Sequence, residues 1–444
     1  MAIYKLLIKL TNVANFILIP FFVKHRMFKL LCFLFYLNLK KIKKINPKKK
    51  PKHVAIVLYK VGGIDDLIES QKIYNNNILY FGCPRTFFKY IFFTIFDNET
   101  HNLSDLNYTS NNKKVNCLKK KYKNFLFNFL TILKKKYKIK VFISFNFYLA
   151  ERELHSACSQ SKIPFLILFK ESIHSEFQKN YFLYTYRKIK KKFEGNQIAV
   201  YSNYAKQLLA KSGVTSINKI KVVGCSRLAA SFSYKKIKPK NQILYYAIQN
   251  DRGLPNALID TFGEKFYKNF KQHKTYTKRL NWNSVHVRTV KILKDFAANN
   301  PQTKILIKVK VGQNINKNEY KNLPKNVEFL TEGAGHKYLK FSKVVIAWNT
   351  TSLLEAIAAN RFILVPYFHS HTNFLEKFEL KLKLKKNSYG FTEKDFYRKL
   401  TSLINSKYDK SNYQHNLQSL EYYLGNKDNK AGLRLDKFIR SNLN

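Results

Sequence analysis

The sequence is short of acid. It sets 27 Asp and Glu against 81 Lys and Arg, a formal charge of +54 over 444 residues. Such a field attracts polyanions: nucleic acid, an anionic membrane surface or sugar nucleotides. Lysine is spread along the whole chain, however, and Asn, Ile, Phe and Tyr are enriched with it, as residues with AT-rich codons would be. No RNA-binding or helix-turn-helix signature is present, so nucleic acid is not the expected partner. Cysteine is also sparse. Cys32, Cys83, Cys117, Cys158 and Cys225 are odd in number, widely spaced and never in a C-x-x-C pair, which argues against a disulfide framework or structural zinc and for a reducing compartment. No D-x-D motif or metal-ligand cluster stands out, so metal-independent chemistry is expected. No repeat of solenoid period occurs.

Long apolar runs are missing as well. Leu10 to Val23 is uncharged but broken by Asn12, Asn15 and Pro20, and Leu30 to Leu39 is a second, shorter run. Neither reaches the roughly 18 residues of a membrane-spanning helix, and no small-residue cleavage site marks a signal peptide. A dense basic block, Lys40 to Lys52, follows. Apolar helices beside a polybasic block suit monotopic attachment to an anionic cytoplasmic leaflet; the alternative is a helix pair packed on the protein's own core.

What remains reads as α/β. The hydrophobic fraction of 45% fits a globular chain. His53 to Tyr59 is a buried-strand run, Lys60 to Gly63 a turn and Ile64 to Lys72 a helix, the opening of a Rossmann-like unit. Strands are expected at 78–81, 139–145, 164–169, 197–201 and 220–223, alternating with helices, hence a parallel sheet covered on both faces. Ala229 to Lys240 is weakly patterned and is expected as a linker. A second sheet starts at Ile243. Helical periodicity runs through Val287, Val290, Leu293 and Phe296, and strands follow at 304–309, 327–330, 343–347 and 362–366. From Lys394 onward the chain is polar and helical, and could cross back onto the first half.

The stretch richest in chemistry is Lys343 to Phe368. A strand empties into Asn349-Thr350-Thr351-Ser352, and a helix follows with Glu355 on its first turn. Parallel strands deliver ligands' partners to the carboxyl edge of a sheet. Short hydroxyl and amide residues there cap the helix and leave N–H groups outward, which with the helix dipole makes an anion site suited to a diphosphate. Glu355 would accept hydrogen bonds from ribose hydroxyls. Plain helix capping by the same residues is the competing reading. Gly333 and Gly335 would let backbone approach a phosphate, and His336 would donate to one. Lys308 and Lys310 share one strand face and would neutralise phosphates at the sheet edge, unless they are two more solvated lysines.

The run Lys343 to Ala359 resembles the donor-site segment of GT-B glycosyltransferase-like proteins, nearest to bacterial surface-carbohydrate (capsule and lipopolysaccharide) biosynthesis proteins. Glu332 to His336 is similar to the glycine loop before that segment, and Val222-Val223-Gly224-Cys225-Ser226-Arg227 resembles the strand and turn that close the N-terminal half. UDP-N-acetylglucosamine 2-epimerases and CDP-glycerol glycerophosphotransferases are related architectures. The epimerase pattern has a serine–glycine–glycine turn with paired acids, where this chain has Asn-Thr-Thr-Ser and a single Glu355; Asn360-Arg361 stands where a glycine is usual. The resemblance implies two Rossmann-like domains with a cleft between them. Residues 1–50 are expected as the membrane-associating segment, 51–235 as the acceptor domain, 240–392 as the nucleotide-donor domain and 393–444 as a helical tail. It also implies a nucleotide-activated sugar as co-substrate with no separate cofactor, a membrane-associated glycan as acceptor, and work at the cytoplasmic face of the inner membrane. A general base is expected from the N-terminal half: Asp65 or Asp66 after the glycine turn, or Glu171 and His174 past the strand end at Phe169, where Lys170-Glu171 also resembles the family's segment. Glu171 would deprotonate the acceptor hydroxyl.

Overall fold

The computed structural model describes residues 2–42, 53–59, 63–73, 78–97, 108, 112–146, 149–170, 173–188, 192–248, 282–309, 320–333, 335–368, 379–407, 410–426 and 428–443. It is a mixed α/β structure built on two largely parallel sheets.

The chain opens with two helices, α1 (Ala2–Lys24) and α2 (Phe28–Asn38), held together by a buried amide pair. Asn15 Nδ2 donates to Asn38 Oδ1 at 2.6 Å, and Asn38 Nδ2 returns the bond at 2.9 Å. The first sheet follows: β1 (Lys40–Lys41), β2 (His53–Leu58), α3 (Gly63–Ile73), β3 (Ile78–Cys83), α4 (Arg85–Phe96), α5 (Lys113–Tyr137), β4 (Ile139–Ser144), α6 (Leu149–Gln160), β5 (Phe165–Phe169), α7 (Glu176–Lys188), β6 (Gln197–Val200), α8 (Asn203–Lys211), β7 (Ile220–Val222) and α9 (Leu228–Tyr234). Its strand order is β1-β3-β2-β4-β5-β6-β7. All neighbours are parallel except β1, which runs antiparallel along the edge with its two lysines against Phe81 and Gly82. Charged residues on a short edge strand discourage further pairing.

Strand alternation explains the two cores of this sheet. On β2, Ile56 and Leu58 join Phe87, Phe88, Phe129 and Phe142 under α4 and α5. Ala55 and Val57 face the other way, toward Leu67 of α3. Helix α5 shows how the covering elements arise. Asn112 Oδ1 accepts from Lys114 N and Val115 N at its start. Tyr122, Phe125, Leu126, Phe129 and Leu133 then repeat along one buried face, and Lys138 ends it in the left-handed region at φ 52°.

The second sheet comprises β8 (Gln242–Tyr246), α10 (Trp282–Asn299), β9 (Lys304–Lys308), β10 (Val327–Leu330), β11 (Val344–Ile346), α11 (Ser352–Ala358), β12 (Phe362–Pro366) and β13 (Tyr389–Gly390), with α12 (Glu393–Asn405) packed against β12 and β13. Its order is β10-β9-β8-β11-β12-β13, all parallel. The stretch expected as a linker, 229–240, instead carries most of α9. Leu228 is buried in the core of the second sheet, and Arg361, also buried, donates to Tyr234 O and Ile237 O beyond the helix and to Leu339 O and Lys340 O. Weak patterning hid it because seven residues give only two turns of periodicity.

Of the two last helices, the first packs on α11 of the second sheet and on α8 of the first, and only the second joins the core of the first sheet. After α13 (Lys410–Leu424), the side chain of Asn426 accepts from Cys225 N at 2.7 Å and donates to Cys225 O at 3.2 Å. In α14 (Ala431–Arg440), Leu435, Phe438 and Ile439 share the core of Ala55 and Val57.

Buried histidine makes one part of this packing pH-sensitive. His286 on α10 sits between the hydroxyls of Tyr245, at 2.7 Å, and Tyr320, at 2.8 Å, and burial lowers its pKa from 6.5 to about 4. The folded state therefore prefers the neutral ring. The associated stability is complete above pH 6.5 and is lost as pH falls toward 4, by about 3 kcal/mol in total. A His286→Gln variant should show a flatter dependence of unfolding midpoint on pH between 6.5 and 4 than the wild type. Parallel curves would place the titration elsewhere.

Candidate functional site between the sheet edges

In a doubly wound sheet the strand order reverses at one point, and a crevice opens beyond the carboxyl ends of the two strands there. The first sheet reverses between β2 and β4, the second between β8 and β11. The residues that follow these four strands form the site.

Past β2, α3 begins with two adjacent acids of opposite fate. Asp65 is exposed. Asp66 is buried; its carboxylate accepts from Tyr201 OH at 2.5 Å on Oδ2 and from Arg227 N at 2.9 Å, Ser226 Oγ at 3.1 Å and Cys225 Sγ at 3.8 Å on Oδ1, and its backbone carbonyl accepts from Ser226 Oγ at 2.7 Å. Asp66 thus fixes the turn after β7, with its carboxylate engaged there. Just past β4, Asn146 is 1% exposed, and neither atom of its side-chain amide has a hydrogen-bond partner among the described residues.

At the end of β8, the hydroxyl of Tyr246 is likewise buried and without a partner among the described residues. Its ring lies against Gly335, where an added Cβ would come within 2.6 Å of Tyr246 Cε1. Gly333 is in the left-handed region at φ 80°. These two glycines let the loop close over Tyr246 and carry His336 past it.

Past β11 the expected residues are present, arranged differently from the expectation. Asn349 takes a left-handed backbone, φ 44°, and its Oδ1 accepts from Leu380 N at 3.0 Å. Thr350 is buried and its Oγ1 accepts from Ser352 N at 3.4 Å. Thr351 is the exposed N-cap and makes no side-chain cap. The amides of Leu353, Leu354 and Glu355 bond to the carbonyls of Thr350 and Thr351. The first-turn N–H groups expected to point outward are therefore taken up within the turn. What this segment offers is the hydroxyl of Thr351, that of half-buried Ser352, and Glu355.

Glu355 ties the two sheets together electrostatically. Burial raises its carboxyl pKa, Arg227 and His336 pull it down, and Asp65 pushes it up. Arg227, half-buried after β7, is held firmly protonated, chiefly by Tyr201 and Cys225 and also by Asp66 and Glu355. Tyr246 is raised by burial and by Glu355. Glu355 thus lies within electrostatic reach of His336 and Tyr246 on the second sheet and of Arg227 and Asp65 on the first.

The remaining expected residues fall outside this group. Lys308 ends β9 buried, and its Nζ donates to Val309 O at 2.5 Å; burial lowers its pKa. Its ammonium is engaged with its own backbone. His174 is half-buried with its ring 5.3 Å from that of Phe182. Glu171, Lys310 and Ala334 lie outside the described residues. The sequence had marked Arg227 only as the end of a strand-and-turn run, and had not marked Tyr246 or Asn146.

No family model and no curated protein matches the chain. Among solved structures it is similar to the UDP-GlcNAc 2-epimerase of Neisseria meningitidis bound to UDP-GlcNAc, with 13% identity, TM-score 0.44 and coverage of 87% of this chain and 99% of that one. It is similar also to the UDP-GlcNAc 2-epimerase of Methanocaldococcus jannaschii, at 12%, 0.47, and 88% and 99%. A UDP-forming trehalose-phosphate synthase of Burkholderia xenovorans gives 8%, 0.42, and 88% and 98%. With TM-scores below 0.5 these are likenesses of outline, and the functional reading rests on the residues themselves.

Proposed function

We propose that the chain is a glycosyltransferase-like enzyme that takes a sugar, or a sugar-like phosphate group, from a nucleotide-activated donor. The observation that carries this is the approach of His336, Arg227, Asp65 and Tyr246 to the one carboxylate of Glu355, with the buried hydroxyl of Tyr246 lacking a partner among the described residues. A buried hydroxyl with no partner costs stability that a ligand oxygen would restore. Glu355 accepts from the ribose hydroxyls. His336 and the hydroxyls of Thr351 and Ser352 meet the diphosphate, and Arg227 offsets the charge that builds on the departing nucleotide. Asp65 is the described acid placed to take a proton from the acceptor, and Glu171 with His174 is the second candidate for that task. The acceptor is a membrane-associated glycan, met at the cytoplasmic face of the inner membrane, as the resemblance to surface-carbohydrate proteins implies.

A panel of nucleoside diphosphate sugars, measured by calorimetry and by nucleotide release with and without a glycan acceptor, tests this. A transferase releases nucleotide faster when acceptor is added. Interconversion of two sugar epimers with no acceptor would assign the site to an epimerase, and absence of binding by any member of the panel would remove the reading.

A further inference from the structure

Ten of the 18 large hydrophobic residues that stand exposed among the described residues fall between Val13 and Leu37. Their spacing is helical. On α1, Ile17 and Phe21 are 60% and 50% exposed, opposite buried Asn15, Ile19 and Val23, and Phe16, 62% exposed, stands at the flank with its ring 6.0 Å from that of Tyr90. On α2, Leu30, Phe33 and Leu37 are 43%, 52% and 59% exposed, opposite buried Leu31, Leu34 and Phe35. Each helix therefore uses one apolar face on the protein's core and leaves a second one uncovered. Single exposed apolar residues are ordinary; a face of this density marks an interaction surface.

Charge identifies what covers it. Lys24, Arg26 and Lys29 stand exposed around the turn between the helices, Lys40 and Lys41 just past α2, and the first acidic residue of the chain is Asp65. A second copy laid on this face would bring its own basic rim against this one, which like-charge repulsion disfavours. An anionic bilayer matches both features, since its phosphates meet the rim and its acyl region the apolar face. No helix among the described residues is long and apolar enough to cross a membrane, so the pair lies in the interface.

We propose that the outer face of α1 and α2 is a monotopic anchor for anionic lipid, with Phe16, Ile17, Phe21, Leu30, Phe33 and Leu37 in the acyl boundary and Lys24, Arg26 and Lys29 at the headgroups. It deepens the preceding reading and rests on it for the acceptor that the enzyme meets there. The test is co-sedimentation of the full chain with vesicles of phosphatidylglycerol in phosphatidylcholine, against phosphatidylcholine alone. Binding is expected to the anionic vesicles and to weaken about tenfold or more in two variants: Phe16→Asp with Phe33→Asp, and Lys24→Glu with Arg26→Glu and Lys29→Glu. Both sets are exposed, so circular dichroism and nucleotide binding should match the wild type. Wild-type protein left in solution, or variants that sediment like it, would overturn the proposal while leaving the nucleotide site standing. A wild-type dimer in solution that the phenylalanine variant turns into a monomer, without vesicle binding, would give the face to a second copy instead. Loss of nucleotide binding in Glu355→Ala with vesicle binding intact is the expected separation of the two sites.

Discussion

A Glu355→Ala variant should bind a nucleoside diphosphate sugar about tenfold to a hundredfold more weakly, the loss expected when hydrogen bonds worth about 1.5–3 kcal/mol to a charged group disappear. Its fold should not suffer. The carboxyl pKa of Glu355 is raised by burial, so the folded state holds its proton more tightly than the unfolded one. A group of this sign favours folding below its unfolded pKa and ceases to do so as pH rises through the folded one. Above that folded pKa the shift itself contributes no stability, and the urea midpoint of the variant separates a weaker affinity from unfolding. The same shift predicts a pH effect on binding. Ribose hydroxyls donate to the ionised carboxylate and favour it, so nucleotide binding should release a proton. Affinity should rise as pH increases through the raised pKa and then level off. Glu355→Gln keeps the size without the charge and should give a flat profile. Calorimetry in buffers of different ionisation enthalpy measures the released proton directly. An unchanged dissociation constant in Glu355→Ala would dismiss Glu355 as the nucleotide contact.

Much of this architecture was legible in the sequence because it is local. Runs such as Val54 to Leu58, Phe165 to Phe169 and Val344 to Ile346 are short, apolar and rich in β-branched or aromatic residues, as strands buried on both faces must be. The segment Asn349 to Glu355 was legible as a turn after a strand for the same reason. Its use was less so. The placing of Asn349 Oδ1 on Leu380 N and of Thr350 Oγ1 on Ser352 N depends on what the rest of the chain brings alongside. Asn360 shows the point in miniature. It takes a left-handed backbone at φ 52°, which asparagine tolerates. The strand orders, and with them the positions of Tyr246 and Asn146 at switch points, are set by long-range pairing that no periodicity encodes. Arg227 gained its role from Glu355, more than a hundred residues away.

The sharpest separation the fold makes is between neighbours. Asp65 and Asp66 are equal candidates in the sequence, yet replacing them should give opposite phenotypes. Asp66→Ala removes the carboxylate that accepts from Tyr201 OH and Arg227 N, while Ser226 Oγ keeps only the backbone carbonyl of residue 66. Losing one side of such a buried network costs about 3–5 kcal/mol, read as a lower unfolding midpoint in urea. Because the turn it holds carries Arg227, nucleotide affinity should fall with it. Asp66→Asn keeps one carbonyl oxygen for Arg227 N and should recover part of the stability. Asp65→Asn, on the exposed side of the same turn of α3, should unfold within about 0.5 kcal/mol of wild type. Its defect should lie in turnover, about a hundredfold to ten-thousandfold if it is the base, with nucleotide affinity nearly unchanged. If Asp65→Asn turns over normally, the proton goes elsewhere, and Glu171 becomes the group to test. If Asp66→Ala unfolds at the wild-type midpoint, the clasp between α3 and the turn after β7 does not fix the turn that carries Arg227, and the approach of Arg227 to Glu355 needs another structural cause.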